Sequence, residues 1–319
     1  MNHLKGSGIQ IWKEADMSLI LESVAWQDPT LVVGSQAIGA LITVVAIHYQ
    51  KRYNRLHRSV YGLSYDTQWF QFIYHVLCVY CSLNYMFNPT VRGQLQRRYP
   101  LFYGNNVNEG NDNNTYTGRI PISWFIMIFN LLLACNFWTL IRQLRKYGHT
   151  KHIHQGVSAL ARFIIIFFVS ILGIVSMWFA YWFGIHRGKD SGLLGIFLLD
   201  HVNYMWVISQ IFHIWSFWPQ ICINWMGKCC QGLSSRFVIL SLLSSLIKLF
   251  GITILNKYNY QITYYQWPFN LDGKLVIITE FFALLGLLVQ AQYFYPSNKP
   301  YLPRQTEKSL VYNHAYSIV

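Results

Sequence analysis

The chain has 319 residues, of which 53% are apolar and only 12% are charged, and its mean hydropathy is +0.26. Soluble domains carry about 25% charged residues, so this composition excludes an ordinary soluble domain and indicates an integral membrane protein. The formal net charge of +13 is dispersed over short loops rather than gathered in one patch, which argues against a nucleic-acid partner.

Apolar stretches long enough to cross a hydrocarbon layer of about 30 Å follow one another along the chain. Seven of them are expected, near residues 31–50, 66–87, 120–141, 160–184, 200–226, 233–255 and 273–295. The segment 1–30 alternates charges and lacks the apolar core of a signal peptide, so we expect the first span to anchor the chain.

Basic residues predict the orientation of these spans. They follow the first, third and fifth spans and recur in the tail after the seventh, and such segments are normally cytosolic. The tail 1–30 and the loop 88–119 are then lumenal, and the tail 296–319 is cytosolic. In agreement, the loop contains Asn113-Asn114-Thr115, a glycosylation pattern that is used only in the lumen.

Two segments of the chain repeat one another 170 residues apart without a gap. Gln50, Asn54 and Gly62-Leu63-Ser64 recur as Gln220, Asn224 and Gly232-Leu233-Ser234. Each copy joins one apolar stretch to the next, so the chain is predicted to contain a duplicated unit.

We predict an all-α membrane protein with seven transmembrane helices in a 3+1+3 arrangement. Two parallel three-helix bundles, 31–141 and 200–295, are joined by the segment 142–199, which holds a basic cytosolic loop, the connector helix and a lumenal loop.

The second copy resembles a known signature. Ser216-Phe217-Trp218-Pro219-Gln220, followed by Asn224 and Gly232-Leu233-Ser234, is similar to the PQ-loop signature of the cystinosin-like transporter family. The first copy has Tyr49 where the proline is expected, but it keeps Gly62-Leu63-Ser64-Tyr65-Asp66, which resembles the family's Gly-Leu-Ser-x-Asp. In the second copy Arg236 replaces that aspartate.

The resemblance implies a carrier that moves small solutes out of an acidic lumen, coupled to protons through an aspartate of the seventh helix a few residues before a glutamine. Here Gln290 is present, but the nearest acid, Glu280, lies about one turn too early. The pattern therefore departs from the family's form of proton coupling.

Residues of the two copies are the first group of candidates. Proline inside a spanning helix removes one backbone hydrogen bond and kinks the helix, so we interpret Pro219 as a hinge. Gln220 and Gln50 are candidate gate residues, because an unpaired amide in the membrane must face a partner or a water-filled cavity. Asn224, Asn54 and Asp66 are assigned to the same pathway. The alternative is that these groups only hold helices together by hydrogen bonds.

Ionisable residues within the spans are the second group, because a charge at the membrane centre costs about 2.5–3.5 kcal/mol. Glu280 and Lys248 have opposite signs and are candidates for an ion pair on the substrate or proton pathway. His75 and His213 are candidates for a proton relay. For each of them a structural role is the alternative: Lys248 would extend to the lumenal interface, and each histidine would bond a backbone carbonyl.

These residues predict a secondary carrier of a small polar solute, such as an amino acid, in a vacuolar, lysosomal, endosomal or Golgi membrane. Its expected partners are the solute, protons and membrane lipids, together with sorting adaptors at Tyr316-Ser317-Ile318-Val319, which resembles a tyrosine-based sorting signal. The alternative is a non-transporting member that handles lipids in a scramblase-like way or acts in trafficking. No enzymatic activity, cofactor or metal site is expected, because the sequence lacks a nucleophile elbow and paired intramembrane carboxylates.

The predicted orientation gives the first test. Tags at the two ends should differ in protease sensitivity in sealed microsomes, with the C-terminal tag digested and the N-terminal tag protected. An Asn113→Gln variant should lose any glycan that the wild-type chain carries. Digestion of both tags would contradict the odd number of spans.

Overall fold

A computed structural model describes residues 30–98, 122–151, 155–186, 193–258, 270–296 and 298. Asn113, the segment 1–29 and the sorting pattern at Tyr316–Val319 lie outside the described residues. Within the described ranges every regular element is helical. The helices are α1 (Thr30–His57), α2 (Tyr65–Phe87), α3 (Pro89–Arg98), α4 (Trp124–Lys146), α5 (Ala159–Ile164), α6 (Gly173–His186), α7 (Leu198–Trp215), α8 (Trp218–Gly227), α9 (Ser235–Tyr258) and α10 (Lys274–Val289). One π-helical segment, Ile165–Leu172, joins α5 to α6, and a second, Gln290–Phe294, continues α10.

Five helical stretches in the described part of the chain are long and apolar enough to cross a membrane. They are Val32–His57, Trp124–Lys146, Ala159–Tyr181, Ser235–Thr253 and Lys274–Phe294. The protein is therefore an all-helical, multi-pass membrane protein. The two other predicted spans correspond to α2, which buries several polar side chains, and to α7 and α8, which are separated by a break. The seven-helix arrangement stays a prediction.

The helices pack in a pattern that is the same for the two copies. In the first copy α4 contacts both α1 and α2, and in the second copy α10 contacts α7, α8 and α9. Between the copies, α1 packs along α9 and α2 packs along α7. In both pairs the first helix of one copy packs along the second helix of the other copy. The repeat seen in the sequence is therefore also present in the packing.

The fifth predicted span is interrupted beside its proline. Ser216 and Phe217 separate α7 from α8, and Pro219 occupies the first turn of α8, where a missing N–H costs no helical hydrogen bond. Helix α1 has Tyr49 at the matching position and continues without interruption to His57. Only one of the two copies therefore has a broken first helix.

The segment 88–119 was predicted as a loop, but its first part is the helix α3. Asn88 begins this helix, because its side-chain oxygen accepts hydrogen bonds from the backbone N–H of Thr90 at 3.1 Å and of Val91 at 3.4 Å. Val91 and Leu95, one turn apart, are buried against the core. The helix was not predicted because the segment is mostly polar and has only these two buried apolar residues in the helix.

The loops that end α1 and α8 meet at two glycines. Gly62 has φ +74°, and the backbone of Gly232 lies directly against it. A Cβ atom added at Gly232 would lie 2.0 Å from the carbonyl oxygen of Tyr61 and 2.6 Å from the carbonyl carbon of Gly62. The two loops of the duplicated unit therefore touch through their backbones, and glycine is the one residue type that fits at position 232.

This contact predicts that Gly232→Ala lowers the free energy of unfolding by about 3 kcal/mol or more, because neighbouring backbone must move. Gly227→Ala is the matched control: it ends α8, and a Cβ atom there meets nothing within 4 Å. Thermal unfolding of the purified variants in detergent measures both. Equal melting temperatures for Gly232→Ala and wild type would contradict the backbone contact.

Candidate functional site

Each repeated glutamine binds the loop of the other copy. The side-chain oxygen of Gln50 accepts from the backbone N–H of Ser234 at 2.9 Å, and its Nε2 donates to the carbonyl oxygen of Gly232 at 3.0 Å. The side chain of Gln220 makes the same two bonds, with Ser64 N–H at 2.8 Å and the Gly62 carbonyl oxygen at 2.8 Å. We call this reciprocal arrangement the glutamine clasp.

Asparagines one turn later extend the clasp into each bundle. The Nε2 atom of Gln50 also donates to Asn54 Oδ1 at 2.9 Å, and Gln220 does the same to Asn224. The amides of Asn54 and Asn224 then donate to Gln143 Oε1 and Gln290 Oε1, each at 3.2 Å. Gln50, Asn54, Gln220 and Asn224 are at most 1% exposed. The predicted gate residues are therefore parts of one buried hydrogen-bond network, and Gln143 was not predicted to belong to it.

The predicted charged residues form a second cluster. Lys248 Nζ lies 3.4 Å from Glu280 Oε2, and His213 Nε2 lies 3.6 Å from the same oxygen. Asp272 was not predicted, yet its Oδ2 atom lies 3.7 Å from Lys248 Nζ and its Oδ1 atom accepts from the Tyr74 hydroxyl. We call Lys248, Glu280, Asp272 and His213 the ionic cluster.

Helices of both copies position this cluster. Lys248 is on α9, Glu280 on α10 and His213 on α7, whereas Tyr74 comes from α2 of the first copy. The Tyr74 ring stacks on the His213 ring with centroids 4.0 Å apart. In α1, Gln36 Oε1 accepts from the backbone N–H of Asp272 at 3.1 Å. The ionic cluster thus lies at the interface between the two bundles.

His75 lies beside the cluster but is bound elsewhere. Its Nδ1 atom is 2.8 Å from Asn130 Oδ1 on α4, and its ring stacks on Phe137 with centroids 5.5 Å apart. His75 and Lys248 both line two small cavities of about 20 Å³ each. Such a volume holds about one water molecule. One cavity borders Asp272 and the other borders Glu280.

The second cavity carries polar atoms that the described residues leave without a hydrogen-bond partner. Ser241 Oγ and His213 Nδ1 both lack such a partner, and both residues line this cavity. Two carboxylates and one ammonium give the cluster a charge of −1 when His213 is neutral, and protonation of His213 brings it to zero. The arrangement can therefore take up one proton without creating net charge in the interior.

Asp66 and Pro219 belong to neither cluster. The connector of the structure consists of α5, the π-helical segment Ile165–Leu172 and α6. The Oδ1 atom of Asp66 accepts from the backbone N–H of Ser158 at 3.0 Å, which attaches the start of the connector to the first copy. Pro219 lies in the wall of a lateral groove between the connector and α8. The structure thus distributes the predicted site residues over three places.

Comparison with known proteins identifies the family. A family model described as "PQ loop repeat" matches residues 202–261, which include Pro219, Gln220, Asn224 and Gly232. The Saccharomyces cerevisiae protein YCL002C, itself uncharacterized, is 39% identical over 276 residues, which cover 86% of this chain and 98% of the yeast protein. The chain belongs to the PQ-loop repeat family. The glutamine of this family's signature is the residue that forms the clasp in both copies, although the first copy has no proline before it.

The charge balance of the ionic cluster predicts unequal effects of removing its members. Lys248→Met removes the ammonium group that lies near both Glu280 and Asp272, and should cost about 3–5 kcal/mol of stability. Glu280→Gln leaves Lys248 paired with Asp272 and should cost less than about 1.5 kcal/mol.

The triple variant Lys248→Met, Glu280→Gln, Asp272→Asn should recover much of the loss, because it removes all three charges together. Thermal unfolding in detergent provides the measurement. A Lys248→Met protein as stable as Glu280→Gln would show that the lysine does not neutralise two buried carboxylates.

Proposed function

We propose that this PQ-loop protein is a secondary carrier that moves a small polar solute across an endomembrane by alternating access. The observation that supports the proposal best is the ionic cluster at the interface of the two bundles. Buried ionisable groups are costly in a membrane, and in carriers built from repeats the binding site lies at the interface between the repeats. We place the N-terminus in the lumen and the C-terminus in the cytosol, from the distribution of basic residues.

The glutamine clasp supplies a closure on the side of the loops 58–64 and 228–234, which we assign to the cytosol. A solute released on this side must pass between loops that touch through their backbones and that are each bound by two hydrogen bonds to a glutamine of the other copy. Pro219 marks the place where the fifth span can bend, so movement of α8 relative to α7 would carry Gln220 away from Gly62.

The chemistry of the cluster favours a zwitterionic solute. Lys248 would attract a carboxylate, and Glu280 and Asp272 would attract an ammonium group, within one site. An α-amino acid carries both groups a few ångströms apart. Its arrival would exchange the ion pairs within the cluster for ion pairs with the solute, so no uncompensated charge would be created.

Coupling to protons is assigned to Glu280 and His213. When the solute leaves, one proton shared between these two side chains balances the charge of the remaining cluster. We assign His75 to the passage of protons between the two small cavities, since it lines both of them.

The second candidate function is lipid handling without solute transport. The lateral groove beside Pro219 favours it, because the groove is large and mostly apolar whereas the central cavities hold about one water molecule each. Movement of fluorescent lipids between the leaflets of proteoliposomes, measured without any solute, distinguishes this function from the carrier.

The carrier is tested by uptake of amino acids into proteoliposomes containing the purified protein. Wild-type uptake should depend on pH, because the proposed mechanism moves a proton together with the solute. Glu280→Gln should remove most of that dependence while the protein stays folded, because glutamine keeps the size and the hydrogen bonds.

Phe282→Leu is the matched control, because Phe282 is two residues away and 62% exposed. This variant should behave as wild type. A folded Glu280→Gln protein with an unchanged pH profile would remove Glu280 from the coupling pathway. Absence of uptake for every solute, together with lipid movement, would replace the carrier with the second candidate.

A further inference from the structure

A groove of about 820 Å³ opens between the connector and the second copy. Its walls are α5 with the residues before it, the π-helical segment Ile165–Leu172, α7, α8 and the first turns of α2. Most of the lining side chains are apolar; they include Leu160, Phe168, Ile211, Trp215, Pro219 and Met226. The volume lies in the range of about 300–1,000 Å³ that holds organic ligands in proteins.

The groove lies beside the first part of the connector, which is attached to the rest of the protein on either side of it. At one end, Asp66 accepts from Ser158 N–H, and Gln155 Nε2 donates to the carbonyl oxygens of Val60 at 2.6 Å and Leu63 at 2.7 Å. Further along, the Tyr204 hydroxyl of α7 donates to the carbonyl oxygen of Phe168 at 3.2 Å, and Gly173 approaches α7 so closely that an added Cβ atom would lie 2.4 Å from Met205 Cε. Between these points the connector bridges a gap that α8 faces.

The side chains around the gap are apolar and turned outward. Leu160 is 68% exposed, Trp215 59% and Met226 70%. The connector is one of the stretches suited to cross a membrane, and only 11% of its most apolar window is buried against the rest of the protein. In a bilayer this gap lies among acyl chains, so lipid rather than water is the solvent that fills it.

One end of the groove carries charge of both signs. Lys151, at the end of the basic segment after α4, and Asp66 both line it, together with Ser158 and the apolar wall. A cation and an anion at the polar end of an apolar groove complement a head group that contains both a phosphate and an ammonium group. A head group with net negative charge would meet repulsion from Asp66.

We propose that a zwitterionic glycerophospholipid binds in this groove as a resident ligand. Its phosphate contacts Lys151, its ammonium group is directed toward Asp66, and one acyl chain lies against Pro219 and Cys222. The lipid then occupies the space into which α8 would move, and so sets how freely the fifth span bends. The binding site itself does not depend on the carrier proposal, since it involves neither the ionic cluster nor solute transport.

Two exposed cysteines provide a matched pair of reporters. Cys222 lines the groove, whereas Cys135 is exposed on α4, away from it. Two single-cysteine proteins, each with the other five cysteines replaced by alanine, are labelled with bimane and reconstituted with spin-labelled phosphatidylcholine, which quenches the label on contact. Unlabelled phosphatidylcholine, phosphatidylglycerol or diacylglycerol is then added to displace the quencher.

At Cys222, phosphatidylcholine should restore the fluorescence at a mole fraction about tenfold lower than diacylglycerol, because only the former has charged groups for Lys151 and Asp66. Phosphatidylglycerol should fall between them. In the Lys151→Gln variant, the three lipids should restore the fluorescence at Cys222 at similar mole fractions. At Cys135 the three lipids should be equivalent with or without the substitution, as expected for bulk lipid.

Three results would overturn the proposal. Equal displacement by all lipids at Cys222 of the unsubstituted protein would reduce the groove to bulk lipid contact. Phosphatidylglycerol acting as well as phosphatidylcholine would remove the zwitterionic selectivity. Absence of quenching at Cys222, with normal quenching at Cys135, would show that another part of the chain fills the groove. None of these results bears on solute uptake, so the two proposals fail separately.

Discussion

The need to satisfy buried amide groups determines how the two bundles are joined. A glutamine side chain in a low-dielectric interior must find both a donor and an acceptor, and a bent loop is where backbone N–H and C=O groups remain free. Gln50 finds them at Gly232 and Ser234, and Gln220 finds them at Gly62 and Ser64. Because each copy supplies what the other lacks, neither bundle satisfies its own amide alone, and the duplicated unit is held as a reciprocal pair.

The symmetry of the clasp contrasts with the asymmetry elsewhere. Only the second copy has a proline before its repeated glutamine, and only its first helix is divided, into α7 and α8, while α1 is continuous. A rearrangement that opens the clasp therefore has an easier route through α8 than through α1. The lateral groove lies on the same side, against α8, so the broken helix and the apolar groove are neighbours.

Sequence patterns predicted the elements that repeat and missed those that do not. Gln50 and Gln220 were recognisable because the spacing to their glycines is identical. Gln143 escaped because Asn54 and Gln143 are 89 residues apart while Asn224 and Gln290 are 66 apart, so the register between copies is lost after the second helix. Asp272 escaped because it precedes the seventh predicted span, and hydropathy alone does not show that α1 and α2 enclose it.

Helix α10 connects the ionic cluster to the glutamine clasp. Glu280 and Gln290 are ten residues apart on α10 and its π-helical continuation, roughly 15 Å along the axis. Gln290 accepts from Asn224, which accepts from Gln220 of the clasp. The matching helix of the first copy, α4, also reaches the clasp through Gln143, but its central polar residue is the neutral Asn130, bonded to His75. The charged residues at the centre are therefore linked to the clasp through the second copy, which also contains the broken helix, whereas the matching helix of the first copy carries a neutral amide.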